Sequence, residues 1–192
     1  GSSQNTGGPA GTWFSRFCRV LGYEDCWNSA IGGTGYIADN SATSVTMSAR
    51  VSDVTSNAPD RIIVWAGYND SSETQAAIDT AARLYFRQLA SGLDAYTVVI
   101  GCWSPSGSPS AALTDTDATL RQAAGDFKVP FISPITGRVY NADGVLLAST
   151  GAWITTANAS RFIGADSVHP NDAGHTYIAQ RIAQAYALLG NV

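Results

Sequence analysis

An acid and a histidine stand three residues apart near the end of the chain, in the segment Asp166-Ser167-Val168-His169-Pro170. A carboxylate that accepts a hydrogen bond from one imidazole nitrogen fixes the tautomer of the ring, and the other nitrogen is then free to act as a general base. This spacing therefore predicts an acid–base pair. The alternative is that the segment is a helix N-terminus that carries a surface histidine.

A second polar motif, Gly67-Tyr68-Asn69-Asp70, follows directly after an apolar run. The amide of Asn69 can donate a hydrogen bond into a cleft, where such a donor stabilises a developing oxyanion. The alternative is a helix-initiating turn in which Asp70 or Ser71 caps the following helix. Both interpretations can hold together, because they use different side chains.

A glycine-rich loop and a terminal serine complete the candidate groups. In the loop from Asn28 to Gly35, Gly33 could bring a backbone N–H close to the same oxyanion, although the loop is otherwise read as a simple turn. No Gly-Lys-Ser/Thr follows it, so it is not a phosphate loop. The chain contains no Gly-x-Ser-x-Gly nucleophile elbow, and the best placed hydroxyl is that of Ser3.

The elements that must position these groups alternate along the chain. Continuously apolar runs predict buried parallel strands, and apolar residues at helical spacing predict helices that cover the sheet. Function in such a sheet lies at the carboxyl ends of the strands, here in loops 1–7, 32–36, 67–70 and 164–170. The predicted strands are 25–31, 61–66, 96–100 and 129–132. The predicted helices are 13–21, 73–90, 115–125 and 173–189, and Asn171 or Asp172 caps the last of them. Residues 43–50 could form a helix or a strand, and residues 134–152 are expected to be irregular.

Length and composition limit the class of protein. The chain has 192 residues, 45% of them hydrophobic and 14% charged, with a formal net charge of −4. This is too apolar for a disordered chain, and no apolar run approaches the length of a membrane span. The acidic balance argues against nucleic-acid binding, which needs a basic face. We therefore expect one domain over residues 1–192.

The three cysteines leave two interpretations open. Cys18 and Cys26 could form a disulfide if a turn at Gly22 brings them together, or all three, including Cys102, could be small buried hydrophobic residues. Neither histidine stands with cysteines at zinc-ligand spacing, so no metal site is predicted.

Together these motifs resemble those of the SGNH (GDSL-type) hydrolases, a family of esterases and lipases. Gly67 to Asp70 is similar to the family's Gly-x-Asn-Asp block, and Asp166 to His169 is similar to its Asp-x-x-His block. The loop from Asn28 to Gly33 resembles the block between them. The resemblance implies a flavodoxin-like three-layer α/β/α fold with a parallel central sheet.

The family's first block is the point of departure. Residues 1–7 keep the glycine, the nucleophilic serine as Ser3 and a glycine four residues later, but Ser2 stands where the family has Asp. The family also has a β-strand just before this block. We therefore expect the first strand to be missing from these 192 residues, or to be supplied by another segment or chain.

The resemblance further implies a cofactor-independent serine ester hydrolase. Ser3, Asp166 and His169 would form the catalytic triad, and Ser3, Gly33 and Asn69 the oxyanion hole. The expected substrates are short-chain acyl esters, including O-acetyl groups on carbohydrate, with Tyr68 and Trp103 as candidate substrate contacts. An extracellular or phage-associated location is favoured. The alternative is a non-catalytic glycan-binding or structural module of a larger surface or phage assembly.

Overall fold

The structure is a computed structural model that describes residues 8–39 and 45–190. Helices cover both faces of a five-stranded sheet, so the predicted α/β/α architecture is confirmed. The helices are α1 (Trp13–Leu21), α2 (Ser52–Thr55), α3 (Gln75–Gly92), α4 (Ala111–Asp126), α5 (Ala159–Phe162) and α6 (Asp172–Leu188); the strands are β1 (Arg61–Trp65), β2 (Tyr96–Ile100), β3 (Phe131–Ser133), β4 (Arg138–Tyr140) and β5 (Leu146–Ser149).

The strands lie in the sheet in the order in which they occur in the chain. β1, β2 and β3 are parallel, as their continuous apolar sequences predict. β4 and β5 add an antiparallel hairpin beyond β3, so the prediction that 134–152 is irregular is wrong. The turn between them is held by the side chain of Asn141, which accepts hydrogen bonds from the N–H groups of Asp143 and Val145.

Two apolar cores lie on opposite faces of the sheet, because successive side chains of each strand point to opposite sides. On one face, Val64 of β1 packs with buried residues of α3 and α4. On the other face, Val98 and Ile100 of β2 pack with buried residues of α1 and α6. The helices are therefore fixed against a sheet that is buried on both sides.

β1 forms one edge of the sheet among the described residues. A groove of about 620 Å³ runs along this edge, between Phe17 of α1 on one side of the sheet and Met47 on the other. Residues 23–31 line the groove opposite β1 but form no strand, so the predicted strand at 25–31 is wrong. The groove separates this segment from the edge of β1, and the segment makes no ladder with any described strand.

Of the two interpretations of the cysteines that the sequence left open, the structure has the one with a disulfide. Cys18 of α1 and Cys26 form a disulfide, and Cys102 is a buried free thiol. Gly22 makes the reversal between the paired cysteines, with φ of 71°, as the C-cap of α1. The disulfide therefore ties the segment that lines the groove to α1.

None of the helices in the described part of the chain combines the length and the apolar character needed to cross a membrane.

Candidate active site

His169 and Asp166 form a direct pair. Nδ1 of His169 lies 2.7 Å from Oδ2 of Asp166. The other carboxylate oxygen accepts the backbone N–H groups of His169, at 2.9 Å, and Val168, at 3.0 Å. These hydrogen bonds, led by that from the backbone N–H of His169, lower the pKa of Asp166 to about 2. Asp166 is therefore a carboxylate at neutral pH, as the orienting member of an acid–base pair must be.

The second ring nitrogen of His169, Nε2, bonds to no residue within the described ranges, and the side chain is 53% exposed. A ring held through Nδ1 by a carboxylate has Nε2 available to accept a proton. The geometry of the pair thus leaves an exposed imidazole that is able to take up a proton at Nε2.

The loop that carries the pair closes on itself. The N–H of Gly164 donates to the carbonyl of His169 at 2.8 Å, and Ser167 adopts φ of 60° at the turn. Asn171 caps α6 by accepting the N–H of Gly174, as predicted, and its side-chain amide also donates to the carbonyl of Arg161 at 3.0 Å. Asn171 therefore fixes the exit of the loop against α5 and α6 together.

Asn69 lies on the turn after β1, where its amide touches the predicted oxyanion loop. Its Nδ2 donates to the carbonyl of Thr34 at 3.0 Å, one residue after Gly33. Gly67 starts this turn with φ of 107°, and a Cβ there would lie 2.7 Å from Leu120. The turn is therefore restricted to glycine at its first position.

Gly33 itself is exposed, with φ of 78°. Its N–H donates to no described residue, whereas the N–H of Thr34 donates to Ile31. Arg50 braces the loop by donating to the carbonyl of Ser29 and to the hydroxyl of Thr34. The contact of Asn69 with Thr34 therefore brings the Asn69 amide and the N–H of Gly33, two hydrogen-bond donors, into adjacent loops.

Asp70 connects these two loops from inside the protein. It is fully buried, and its carboxylate accepts the backbone N–H groups of Tyr36 at 3.0 Å, Ile37 at 2.9 Å and Ala38 at 2.8 Å. The prediction that Asp70 or Ser71 caps the next helix is therefore wrong. Thr74 caps α3, because its side chain accepts the N–H of Ala77.

A second buried carboxylate, Asp117 of α4, supports the strand ends behind the site. It accepts the backbone N–H of Cys102 at 2.9 Å and the hydroxyl of Ser133 at 2.7 Å. Burial raises the pKa of Asp117 to about 6. Because Cys102 follows β2 and Ser133 ends β3, Asp117 fixes the relative position of the two strand ends.

His175, the second histidine, is part of the protein interior. It is 2% exposed, and its Nδ1 accepts the backbone N–H of Trp13 at 3.0 Å. Burial, with the nearby positive charge of Arg16, lowers the pKa of His175 to about 4. It therefore joins the start of α6 to the start of α1 as a neutral acceptor.

The predicted substrate contacts are both half-buried. Tyr68 packs against the core on the α3 side of the sheet. Trp103, three residues after β2, donates its indole N–H to the carbonyl of Val168 at 3.2 Å. Ser3, the predicted nucleophile, lies outside the described residues. Their catalytic and binding roles stay predictions.

The described residues contain no cluster of three or more His, Cys, Asp or Glu side chains that could hold a metal ion. The chemistry that they do support is proton transfer by the Asp166–His169 pair and hydrogen bonding of an anion by the Asn69 amide and the Gly33 N–H.

A comparison with curated proteins finds no match. The model of the GDSL-like Lipase/Acylhydrolase family matches residues 1–177, which is most of the chain and includes the Asn69 turn and the Asp166–His169 loop. The family match agrees with the mixed α/β topology of the structure and with the fold inferred from the sequence motifs. The chain therefore belongs to the GDSL-like lipase/acylhydrolase family.

Proposed function

We propose that this acylhydrolase is a serine ester hydrolase that cleaves short-chain acyl esters. The observation that carries the proposal is the 2.7 Å bond from His169 to an Asp166 carboxylate that is already fixed by two backbone N–H groups. Such a carboxylate orients the imidazole and stabilises the imidazolium that forms during acyl transfer. Ser3 is the proposed nucleophile.

In the first step, Nε2 of His169 takes the hydroxyl proton of Ser3 while Oγ bonds to the ester carbonyl carbon. The imidazolium then gives this proton to the leaving alcohol oxygen as the ester C–O bond breaks, which leaves an acyl-serine. In the second step, His169 takes a proton from water, the hydroxide attacks the acyl carbon, and the proton returns to Ser3 as the carboxylic acid leaves.

The proposed oxyanion hole consists of the N–H groups of Ser3 and Gly33 and the side-chain amide of Asn69. Two contacts support it. The N–H of Gly33 bonds to no described residue, so it is available to a ligand. The amide of Asn69 has two hydrogens, and the bond to Thr34 uses only one of them.

Activity on p-nitrophenyl acetate tests the reaction. We expect His169→Ala and Ser3→Ala to lose about 10⁴-fold or more in kcat, and Asn69→Ala about 10²- to 10³-fold. Ser106→Ala, in the exposed loop after β2, is the matched control and should keep full activity. Turnover by His169→Ala close to that of the unsubstituted protein would refute the proposal.

The proposed natural substrate is a short acyl group, such as O-acetyl on a carbohydrate. No long apolar loop in the sequence resembles a lipase lid. The half-exposed rings of Tyr68 and Trp103 are the candidate contacts for a sugar ring. Comparing acetyl, butyryl and octanoyl esters tests the acyl length, and a preference for octanoyl would contradict this assignment.

The alternative is a glycan-binding module without hydrolytic activity. A fluorophosphonate probe separates the two functions, because it reacts with an activated serine and not with an ordinary one. We expect it to label Ser3 and to lose that labelling in His169→Ala. Glycan binding without labelling would favour the module.

We also propose that the protein works in an oxidising, extracellular location. The Cys18–Cys26 disulfide supports this, because disulfides persist in oxidising compartments and are rare in the cytosol. Mass spectrometry of the natively expressed protein, alkylated before reduction, tests it. Free thiols at both positions would contradict the proposed location.

Finally, we propose that an extended polypeptide segment from outside these 192 residues lies in the groove beside β1 as a parallel strand. The groove lies between the two helical layers, where the backbone edge of β1 faces it. Among the described residues no strand pairs with this edge on the groove side, and sheet edges pair readily with another strand. A synthetic apolar pentapeptide with an N-terminal lysine should slow hydrogen exchange in Ile62–Trp65, and unchanged exchange at saturating peptide would contradict the proposal.

A further inference from the structure

Trp103 holds the peptide group that precedes His169. Its indole N–H donates to the carbonyl of Val168 at 3.2 Å. The N–H of the same peptide group, that of His169, donates to Oδ1 of Asp166 at 2.9 Å. Both ends of one peptide group are therefore bonded to side chains, and the backbone torsions on either side of it are restricted.

This contact also joins the His169 loop to the sheet. Within residues 8–39 and 45–190, the indole of Trp103 makes the one side-chain hydrogen bond between residues 164–169 and a loop that follows a strand. The other hydrogen bonds of residues 164–169 within these ranges run inside the loop, and Asn171, which follows it, donates to the carbonyls of Arg161 and Ile163. The position of His169 relative to the strand ends thus depends on Trp103.

Trp103 is itself firmly placed. Its ring packs edge-on against Trp65 at the end of β1, with centroids 6.0 Å apart. The preceding residue, Cys102, is fixed by its bond to buried Asp117, and the following residue, Ser104, is buried. The indole of Trp103 is thus held at the ends of β1 and β2, and a side chain fixed in this way can support a neighbouring loop rigidly.

We propose that Trp103 is a positioning residue for His169, and that its indole N–H performs this role by holding the carbonyl of Val168. The proposal rests on the proposed esterase function for its kinetic consequence. A base held in place reacts faster because less motion must be restricted on the way to the transition state. The bond between Trp103 and Val168 is independent of any substrate.

Trp103→Phe removes the N–H and keeps an aromatic ring against Trp65. We expect kcat for p-nitrophenyl acetate to fall about five- to tenfold, the rate equivalent of one neutral hydrogen bond, while KM stays within about twofold. A residue that stacks on substrate would instead raise KM. A raised KM with unchanged kcat would therefore overturn the proposal.

A second readout does not require activity. Freeing the peptide group weakens the bond from the His169 N–H to Asp166, so the pKa of Asp166 should rise from about 2 towards its ordinary value. Carboxyl ¹³C NMR titration measures this shift. An unchanged Asp166 titration in Trp103→Phe would overturn the positioning role, whereas inactivity of the unsubstituted protein would overturn only the esterase proposal.

The matched control is Ser91→Ala. The hydroxyl of Ser91, in α3, also donates to a backbone carbonyl, that of Gln88 at 3.1 Å, but it is exposed and lies outside the proposed sites. It should change neither kcat nor the titration of Asp166. If Trp103→Phe fails to fold, replacing Trp103 by β-(3-benzothienyl)alanine keeps the bicyclic shape without the N–H, and the same outcomes apply.

Discussion

Removing the charge of Asp70 should destabilise the protein and disturb the proposed oxyanion loop. In Asp70→Asn one carboxylate oxygen becomes an NH₂ group. Oδ1 can still accept from Ile37 and Ala38, but the NH₂ then faces the N–H of Tyr36. If the asparagine amide is turned the other way, its NH₂ faces the N–H groups of Ile37 and Ala38, and two hydrogen bonds are lost instead of one. The first orientation is therefore the more stable of the two.

The magnitude follows from the lost bond and the buried setting. A buried donor left unsatisfied costs about 1–3 kcal/mol, and more when the acceptor that it loses is charged. Asp70 is 0% exposed, so water cannot replace the lost acceptor. We expect Asp70→Asn to lower the free energy of unfolding by about 2–4 kcal/mol, a large fraction of the roughly 5–15 kcal/mol typical of a domain.

Urea unfolding at pH 7, followed by circular dichroism, measures this loss. Asp126→Asn is the control, because the carboxylate of Asp126 also accepts a hydrogen bond, here from Arg83, but its side chain is 55% exposed. We expect a change below about 1 kcal/mol there. Gly35→Ala tests the same contact independently, since a Cβ at Gly35 would lie 2.3 Å from the Asp70 carboxylate.

Loss of the bonds from Asp70 should also reduce activity, because the 33–38 loop that they hold carries Gly33. We expect kcat/KM for p-nitrophenyl acetate to fall in Asp70→Asn at temperatures where the variant is still folded. If Asp70→Asn unfolds within about 0.5 kcal/mol of the unsubstituted protein, Asp70 does not hold the loop and the reasoning is refuted.

Three further predictions concern stability. The pKa of His175 in the folded protein, about 4, lies below its ordinary value of 6.5, so the stability present above pH 6.5 should fall by about 3 kcal/mol as pH drops to 4. Urea titrations of His175→Asn, whose amide oxygen can still accept from the N–H of Trp13, should lack this loss. The pKa of Asp117 is raised from 3.8 to about 6, so the sign reverses: the unsubstituted protein should gain about 3 kcal/mol relative to Asp117→Asn as pH falls from 6 to 3.8. Replacing Cys18 and Cys26 by serine should cost about 2–3 kcal/mol, measured against the oxidised protein under the same denaturant, and an equal midpoint for both would contradict it.

The parallel strands β1, β2 and β3 and the main helices could be predicted because the apolar pattern within each segment indicates its secondary structure without knowledge of its partners. The run Tyr96–Ile100 carries no charge and ends in three aliphatic residues, and the structure places β2 at those residues. The β4–β5 hairpin could not be recognised in the same way. Its strands have three and four residues, and their pairing depends on the Asn141 turn rather than on a long apolar pattern.

The candidate site was predictable where its partners are close in sequence. Asp166 and His169 are three residues apart, so their spacing alone indicates the contact that the structure contains. Asp70 accepts from residues 32 to 34 positions away, and His175 accepts from Trp13, 162 positions away. Nothing local marks such polar residues as buried, because their partners are set by the packing of separate elements.

The indole of Trp65 is surrounded by three other indoles, those of Trp13, Trp103 and Trp153, at centroid distances of 4.9, 6.0 and 6.3 Å. They come from three separate segments, so their transitions couple only when those segments are packed together. The protein should therefore have an intense near-ultraviolet circular dichroism signal that reports tertiary packing. That signal should vanish in a molten globule whose helices remain, which separates loss of packing around the His169 loop from unfolding.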